Sequence, residues 1–193
     1  MKPIIISIEG IDGAGKSTIV KELKKIYKNN CSIYERTRKS NLVKNLVGFP
    51  VVKHIHFLQI PIYLYLSHKN FHIFKKEKQT YLVIMDRCFL SNLCYFFPNA
   101  LSNSKLFKLA MVLEPNIYPQ KIFVLNVNPK IAQKRDDFNK EIKWLEKTNQ
   151  VYNNSTKSKL LKQYNIEIIK DTYTIEQKIE VIKEYIDKKV KVL

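Results

Sequence analysis

Short apolar runs recur along the chain, and stretches with helical spacing separate them. Each run is rich in β-branched residues, and the runs cover 4–8, 32–34, 81–85, 122–127 and 166–169. Uninterrupted apolar runs of this length are typical of strands that are buried on both faces, as in a parallel sheet. The pattern therefore predicts five buried strands.

Helical periodicity occupies the intervals between these runs. Apolar residues recur three and four positions apart at Ile19, Val20, Leu23 and Ile26, and again at Ile175, Ile179, Ile182 and Ile186. Thr174 and Gln177 have the spacing of a capping box at the start of the last helix. Further helices are predicted over 105–113, within 136–163, and as one or two helices within 49–80. Strands that alternate with helices predict βαβ crossovers and a doubly wound α/β sheet.

Length and composition restrict the class of protein. The 193 residues fit one domain, 1–193, and the hydrophobic content of 45% supplies a core. No apolar run approaches the roughly 18 residues expected of a transmembrane helix, and no secretory signal pattern opens the chain. Cys31, Cys88 and Cys94 are odd in number and form no C-x-x-C pair, which predicts reduced thiols and a cytoplasmic location.

The charge balance favours an anionic partner. Basic residues outnumber acidic ones by 34 to 17, so the formal net charge is +17. This excess is compatible with a nucleotide, a nucleic acid or an acidic lipid headgroup. Only four arginines (Arg36, Arg38, Arg87, Arg135) stand beside thirty lysines. Because a planar guanidinium binds phosphate in a bidentate way that Lys cannot reproduce, these arginines are candidate phosphate ligands.

A glycine-rich loop carries the strongest chemical signal. Three of the four glycines lie in the segment Gly10-Ile11-Asp12-Gly13-Ala14-Gly15-Lys16-Ser17, which matches G-x-x-x-x-G-K-[ST] between a predicted strand and a predicted helix. Glycines let backbone N–H groups surround phosphates, and the helix N-terminus favours their negative charge. Lys16 can reach the β- and γ-phosphates, and the Ser17 hydroxyl can bind Mg²⁺. We therefore expect a nucleoside triphosphate site.

A second candidate group follows the third predicted strand. Asp86 and Arg87 stand at its carboxyl end, where ligands bind in open α/β sheets. There Asp86 can support a magnesium ion, and Arg87 can bind a second phosphate group. The alternative, an exposed ion pair of little consequence, is less compatible with the end of a buried strand.

The order of these motifs carries a family resemblance. The chain contains Glu9-Gly10 with Asp12 and Lys16-Ser17-Thr18, then Glu35-Arg36, then Asp86-Arg87 with Ser91-Asn92 and Tyr95, then 125–129 and Arg135. This arrangement resembles the thymidylate kinase family. The resemblance implies a P-loop kinase fold, which is a five-stranded parallel sheet flanked by helices on both faces. It also implies a lid around 135–150 and a homodimer.

The resemblance also implies roles for individual residues. ATP would be bound by Gly10, Ile11, Asp12, Gly13, Ala14, Gly15, Lys16, Ser17, Thr18 and, near the adenine, Arg135. Mg²⁺ would be held by Ser17 and Asp86. The acceptor nucleotide would be bound by Arg36 and Arg87 at its phosphate and by Ser91, Asn92 and Tyr95 along its base and sugar. Asp12, Lys16, Arg36 and Arg87 would be the catalytic residues.

Some positions depart from the family pattern. The family commonly reads thymine with an aromatic residue and an Arg four residues later, and here the candidates are Tyr65 and Lys69. Cys88 replaces the Tyr that usually follows Asp-Arg, and Asn126 replaces a strand-end Asp. The loop has Ala14 where some members carry a catalytic Arg. In the lid region only lysines could supply that charge, namely Lys140, Lys143 and Lys147.

The sequence thus predicts a cytoplasmic enzyme that phosphorylates a deoxynucleoside monophosphate, dTMP above all, with Mg²⁺ and ATP. One alternative is another pyrimidine nucleotide or nucleoside kinase on the same fold. A second alternative is a basic P-loop protein that binds nucleic acid and has degraded kinase activity. The absence of a nucleic-acid-binding motif and the spread of the lysines along the chain disfavour this second alternative.

Overall fold

The computed structural model describes residues 3–36, 56–76, 80–135 and 141–191. The five strands are β1 (Ile4–Glu9), β2 (Cys31–Glu35), β3 (Leu82–Asp86), β4 (Lys121–Leu125) and β5 (Asn165–Ile169). The five predicted strands are therefore confirmed. Their ends shift by a residue or two: β3 includes Asp86, and β4 ends at Leu125 rather than at 127.

All strand pairs are parallel, and the order across the sheet is β2-β3-β1-β4-β5. The register pairs Ile8 of β1 with Asp86 of β3, and Asp86 in turn with Glu35 of β2. The carboxyl ends of these central strands consequently reach the same edge of the sheet. In an open parallel sheet this edge is where ligands bind.

Seven α-helices accompany these strands in the described part of the chain. They are α1 (Lys16–Tyr27), α2 (His56–Lys76), α3 (Phe89–Phe96), α4 (Ser104–Val112), α5 (Pro129–Arg135), α6 (Ile142–Asn154) and α7 (Ile175–Val190). Within the described residues, no helix has the length and apolar content needed to cross a bilayer. The alternation of strands and helices gives the doubly wound α/β architecture that the apolar pattern predicted.

The local signals read from the sequence account for several helix boundaries. The capping box of α7 is present, since the Thr174 hydroxyl accepts from Gln177 N–H at 3.3 Å and Gln177 Oε1 accepts from Thr174 N–H at 2.9 Å. The described part of segment 49–80 forms one long helix, α2, which continues through Pro61. Residues 49–55 and 77–79 lie outside the described residues. After α6, within the segment 136–163, the chain forms two 3₁₀ turns, Ser155–Lys157 and Lys159–Leu161.

The core lies on both faces of the sheet. The central strands are buried except at Ile5 and Asp86, and Ile6, Ile8, Ile84 and Phe123 have no exposed surface. Burial of this kind is the main stabilising term of the fold. On one side α1 and α7 are joined by a hydrogen bond from the Tyr27 hydroxyl to Asp187 Oδ1 at 2.8 Å. The sheet therefore holds the carboxyl ends of β1 and β3 in fixed positions.

Candidate active site

The glycine loop links β1 to α1 and needs glycine for two separate reasons. Gly10, Gly13 and Gly15 all have positive φ, at 135°, 78° and 88°. A Cβ on Gly13 would also lie 2.1 Å from the carbonyl oxygen of Ala132 in α5, and one on Gly10 would lie 2.7 Å from that of Leu125. The loop backbone thus packs directly against the end of β4 and against α5, with no space for a side chain.

The loop ends in the N-terminal turn of α1, which contains no acidic residue. Ser17 and Thr18 are exposed there, whereas Ile11 and Ala14 are buried beneath the loop. Lys16 is 7% exposed, and its Nζ donates to Ile11 O at 2.7 Å. The turn therefore offers backbone N–H groups, hydroxyls and an ammonium group at one place, as expected of an anion site at a helix N-terminus.

Arg87 extends from the end of β3 to the glycine loop. Its φ of 73° lies in the left-handed region, and its N–H donates to Ile8 O at 3.3 Å. The guanidinium donates to Gly10 O at 3.2 Å and forms an ion pair with Asp12. The side chain is 13% exposed and is therefore largely buried beside the loop.

The buried carboxylate of Glu9 positions Arg87 through a chain of hydrogen bonds. Glu9 has no exposed surface, and its oxygens accept from Cys88 N–H at 2.6 Å and from the Ser91 hydroxyl at 2.6 Å. The Ser91 oxygen in turn accepts from Arg87 Nη1 at 3.1 Å. The Tyr152 hydroxyl of α6 also donates to Glu9, at 2.9 Å. Because Glu9, Ser91 and Tyr152 are hydrogen-bonded to one another, the orientation of Arg87 is fixed by the group around Glu9.

Aromatic side chains of α3 and α6 close this side of the site. The Arg87 guanidinium lies 5.2 Å from the ring centre of Tyr95, which contacts Trp144 at 4.9 Å and Tyr152 at 6.2 Å. Burial raises the pKa of Tyr95 to about 12, so its hydroxyl stays protonated at neutral pH. A cation over neutral aromatic rings in a poorly hydrated place is stabilised there.

Arg36 occupies a deeper position than Arg87. Its side chain is 2% exposed, its Nε donates to Ser67 Oγ at 3.0 Å, and its Nη1 donates to Cys88 O at 2.9 Å. Its Nη2 forms an ion pair with Glu114. Asn92 donates from Nδ2 to the other oxygen of Glu114 at 2.6 Å. Arg36 and Asn92 are thus brought together by an acidic residue that the sequence analysis did not select.

The exposed face of α2 carries Tyr65 and Lys69, and Tyr65 is 64% exposed. Ser67 and Tyr63 lie on the opposite face, where Tyr63 contacts Phe96 of α3 at 5.5 Å. Burial raises the pKa of Tyr63, while the nearby charge of Arg87 opposes this rise. The structure does not bring Tyr65 and Lys69 to the group around Arg87, and their role at the acceptor base stays a prediction.

Two candidate oxygen ligands for a metal lie at the end of β3 and at the start of α1. Asp86 ends β3, and Ser17 is exposed at the start of α1. A hydroxyl and a carboxylate fit Mg²⁺, which usually adds phosphate oxygens and water to one or two protein ligands. The described residues contain no cluster of three or more His, Cys, Asp or Glu side chains that could hold a metal without such help.

The lid region is described in part. Arg135 is the last residue of α5 and is exposed, and residues 136–140, including Lys140, lie outside the described residues. Lys143 and Lys147 are exposed on α6. Asn126, at the end of β4, accepts at Oδ1 from the side-chain amides of Asn149 and Asn153, each at 3.3 Å. It therefore fixes α6 to the sheet.

Comparison with known proteins agrees with this geometry. The profile of the family described as Thymidylate kinase matches residues 8–186. The chain belongs to the thymidylate kinase family. Curated relatives include the thymidylate kinase of Campylobacter jejuni subsp. jejuni serotype O:6, which is 30% identical over 176 residues that cover 89% of this chain and 88% of the relative. That of Aliarcobacter butzleri is 30% identical over 139 residues, 68% of this chain and 72% of the relative.

Solved structures share the fold of this family member. A deoxyadenosine kinase from M. mycoides with bound dATP matches with a TM-score of 0.70 at 20% identity, over 95% of this chain and 100% of that chain. A thymidylate kinase from Ehrlichia chaffeensis matches with a TM-score of 0.67 at 21% identity, over 96% and 100%. The predicted P-loop kinase fold is confirmed.

Two Gly→Ala variants separate the two reasons for glycine in the loop, which are close backbone packing and positive φ. We expect Gly13→Ala to lose ATP binding and several degrees of thermal stability, because the new Cβ would collide with the Ala132 carbonyl. Gly15→Ala is the matched control, since nothing lies within 4 Å of its Cβ position and only positive φ opposes it, a cost of about 1–2 kcal/mol. Thermal unfolding with and without ATP measures both effects, and equal losses in the two variants would contradict the packing argument.

Proposed function

We propose that this protein transfers the γ-phosphoryl group of ATP to a deoxynucleoside monophosphate, dTMP above all, to give ADP and dTDP. Family membership supports this reaction. The observation that carries it is the contact of Arg87 with Gly10 O and Asp12. This contact supports the proposal because it puts a second cation, which would bind the acceptor phosphate, beside the glycine loop, as transfer between two phosphate groups requires.

Positioning and charge neutralisation account for the chemistry. The loop N–H groups and Lys16 would hold the β- and γ-phosphates, and Arg87 would hold the acceptor phosphate in line with them. An acceptor phosphate oxygen attacks the γ-phosphorus while the bond to the β,γ-bridging oxygen breaks, so that ADP leaves. No side chain forms a covalent bond in this step. Asp12, already paired with Arg87, would keep that cation oriented beside the acceptor.

Magnesium forms part of the proposal. Ser17 and Asp86 would hold it, and when bound it would neutralise charge on the transferring phosphate oxygens. Arg36, whose guanidinium is paired with Glu114, would also bind the acceptor phosphate. Lys143 or Lys147 would replace the catalytic Arg that the loop lacks at Ala14. Arg135 would lie near the adenine of ATP.

An ADP-release assay over a panel of acceptors tests the reaction. We expect turnover with dTMP and lower turnover with dUMP, dCMP, UMP, CMP, GMP and AMP. Lys16→Ala and Arg87→Ala each remove one charge that stabilises the transition state, so kcat/KM should fall by about 10²–10³. Lys25→Ala, at an exposed position of α1, is the control. An inactive wild type that binds DNA tightly, with retention lost at high salt, would favour the nucleic-acid alternative instead.

Substitutions on the two faces of α2 should affect binding of the acceptor nucleotide differently. Tyr63 packs against α3 and is near enough to Arg87 to be affected by its charge. We therefore expect Tyr63→Leu to raise the KM for dTMP several-fold and to leave that for ATP nearly unchanged. Lys69 is exposed on the opposite face, so we expect Lys69→Ala to behave like the wild type. Steady-state kinetics with each substrate varied in turn measures this. A raised KM for dTMP in Lys69→Ala alone would restore the assignment made from sequence.

We also propose a homodimer in the cytoplasm. Exposed apolar side chains on α4 support an interface, with Leu109 59% and Val112 79% exposed. Three buried free thiols agree with a reducing compartment. Light scattering should give twice the chain mass of 22.8 kDa. Leu109→Lys should shift the protein towards the monomer while the control Lys105→Glu does not; a monomeric wild type would reject the dimer.

A further inference from the structure

Glu114 joins two residues that the proposed acceptor site uses. It follows α4, is 6% exposed, and lies between Arg36 and Asn92. One carboxylate oxygen accepts from Arg36 Nη2, and the other accepts from Asn92 Nδ2 at 2.6 Å. Both oxygens are therefore occupied by N–H donors of different elements.

This contact determines which way the Asn92 amide points. A carboxylate paired with a guanidinium only accepts hydrogen bonds, so the NH₂ group of Asn92 must face Glu114. The carbonyl oxygen Oδ1 must then point to the other side. No hydrogen bond among the described residues is directed at this oxygen, which leaves it as an acceptor for a bound molecule.

The surroundings of Asn92 connect it with the acceptor side. Asn92 and Phe96 lie four residues apart on one face of α3, and Cys88 is the residue that precedes this helix. The carbonyl oxygen of Cys88 accepts a hydrogen bond from Arg36, and the Phe96 ring lies 5.5 Å from the Tyr63 ring of α2. The contact between α2 and α3 thus has the Arg36 guanidinium at one end, the Phe96 ring at the other, and the Asn92 amide between them.

We propose that Glu114 is a positioning residue that determines base selection by fixing the orientation of the Asn92 amide and of Arg36. This proposal rests on the proposed function. With Oδ1 towards the base, the site accepts a base that presents an N–H at this point, such as the N3–H of thymine or uracil. Cytosine presents an unprotonated N3 there, and two acceptors would face each other.

The variant Glu114→Gln reverses the polarity of this contact. The new amide oxygen would accept from Arg36, since a charged guanidinium is the stronger donor. The new NH₂ group would then face Asn92 and turn its amide over, so that Nδ2 points to the base. We expect the ratio of kcat/KM for dTMP to that for dCMP to fall by about ten- to a hundredfold. Glu22→Gln, in an exposed ion pair on α1, is the matched control.

The double variant Asn92→Asp/Glu114→Gln exchanges the amide and the carboxylate without changing the charge. Here the amide introduced at position 114 would accept from Arg36 and donate to one oxygen of the carboxylate introduced at position 92. The other oxygen of that carboxylate would face the base as an acceptor. We expect the preference for dTMP to return to within about threefold of the wild type. A residue that served only to stabilise the fold would change both acceptors equally and would not show this rescue.

Three results would overturn the role of Glu114. The first is an unchanged ratio of kcat/KM for dTMP to that for dCMP in folded Glu114→Gln. The second is a folded double variant without preference for dTMP. The third is equal turnover of dTMP and N3-methyl-dTMP by the wild type, since the methylated base lacks the N–H. The last measurement needs no variant to fold. A wild type that phosphorylates no monophosphate rejects the proposed function itself, whereas an active wild type with one of these three results rejects only the role of Glu114.

Discussion

The contact between Arg87 and the glycine loop is the constraint on which the site depends. The guanidinium donates to Gly10 O and pairs with Asp12, although Arg87 follows β3 and the loop follows the neighbouring strand β1. The parallel register of β1 and β3 makes this possible, because it brings Ile8 and Asp86 side by side at the sheet edge. A positive φ at Arg87 then turns its side chain towards the loop, at a conformational cost that the surrounding hydrogen bonds offset.

Two buried carboxylates organise the polar groups around this contact. Glu9 fixes Ser91 and, through it, Arg87, while Glu114 fixes Arg36 and Asn92. Each is surrounded by donors from several elements, so that no single helix sets the geometry. A carboxylate in such a place is costly to bury without partners and stabilising with them. The same arrangement limits how far the guanidinium groups can move when phosphate binds.

The sequence predicted the strands, the alternation of elements and the loop, because each depends on local pattern. It also selected Arg87, which directly follows a buried strand, and the family resemblance added Ser91. Glu9 could have been selected, since it is an acid inside an otherwise apolar strand end. Glu114 could not, because only the tertiary fold brings it to Arg36, 78 residues away. Nor could the sequence show which side of α2 packs against α3: the structure places Tyr63 on that side and Tyr65 on the exposed side.

The bare backbone contact between Gly13 and Ala132 has a mechanical consequence. Side chains can change rotamer to absorb a displacement, but two main-chain segments in direct contact cannot. Rotation of α5, the helix that ends at Arg135, would therefore displace the loop backbone directly, because no side chain lies between them. A molecule that separated the loop from α5 would therefore disturb the glycine loop without occupying the ligand cleft.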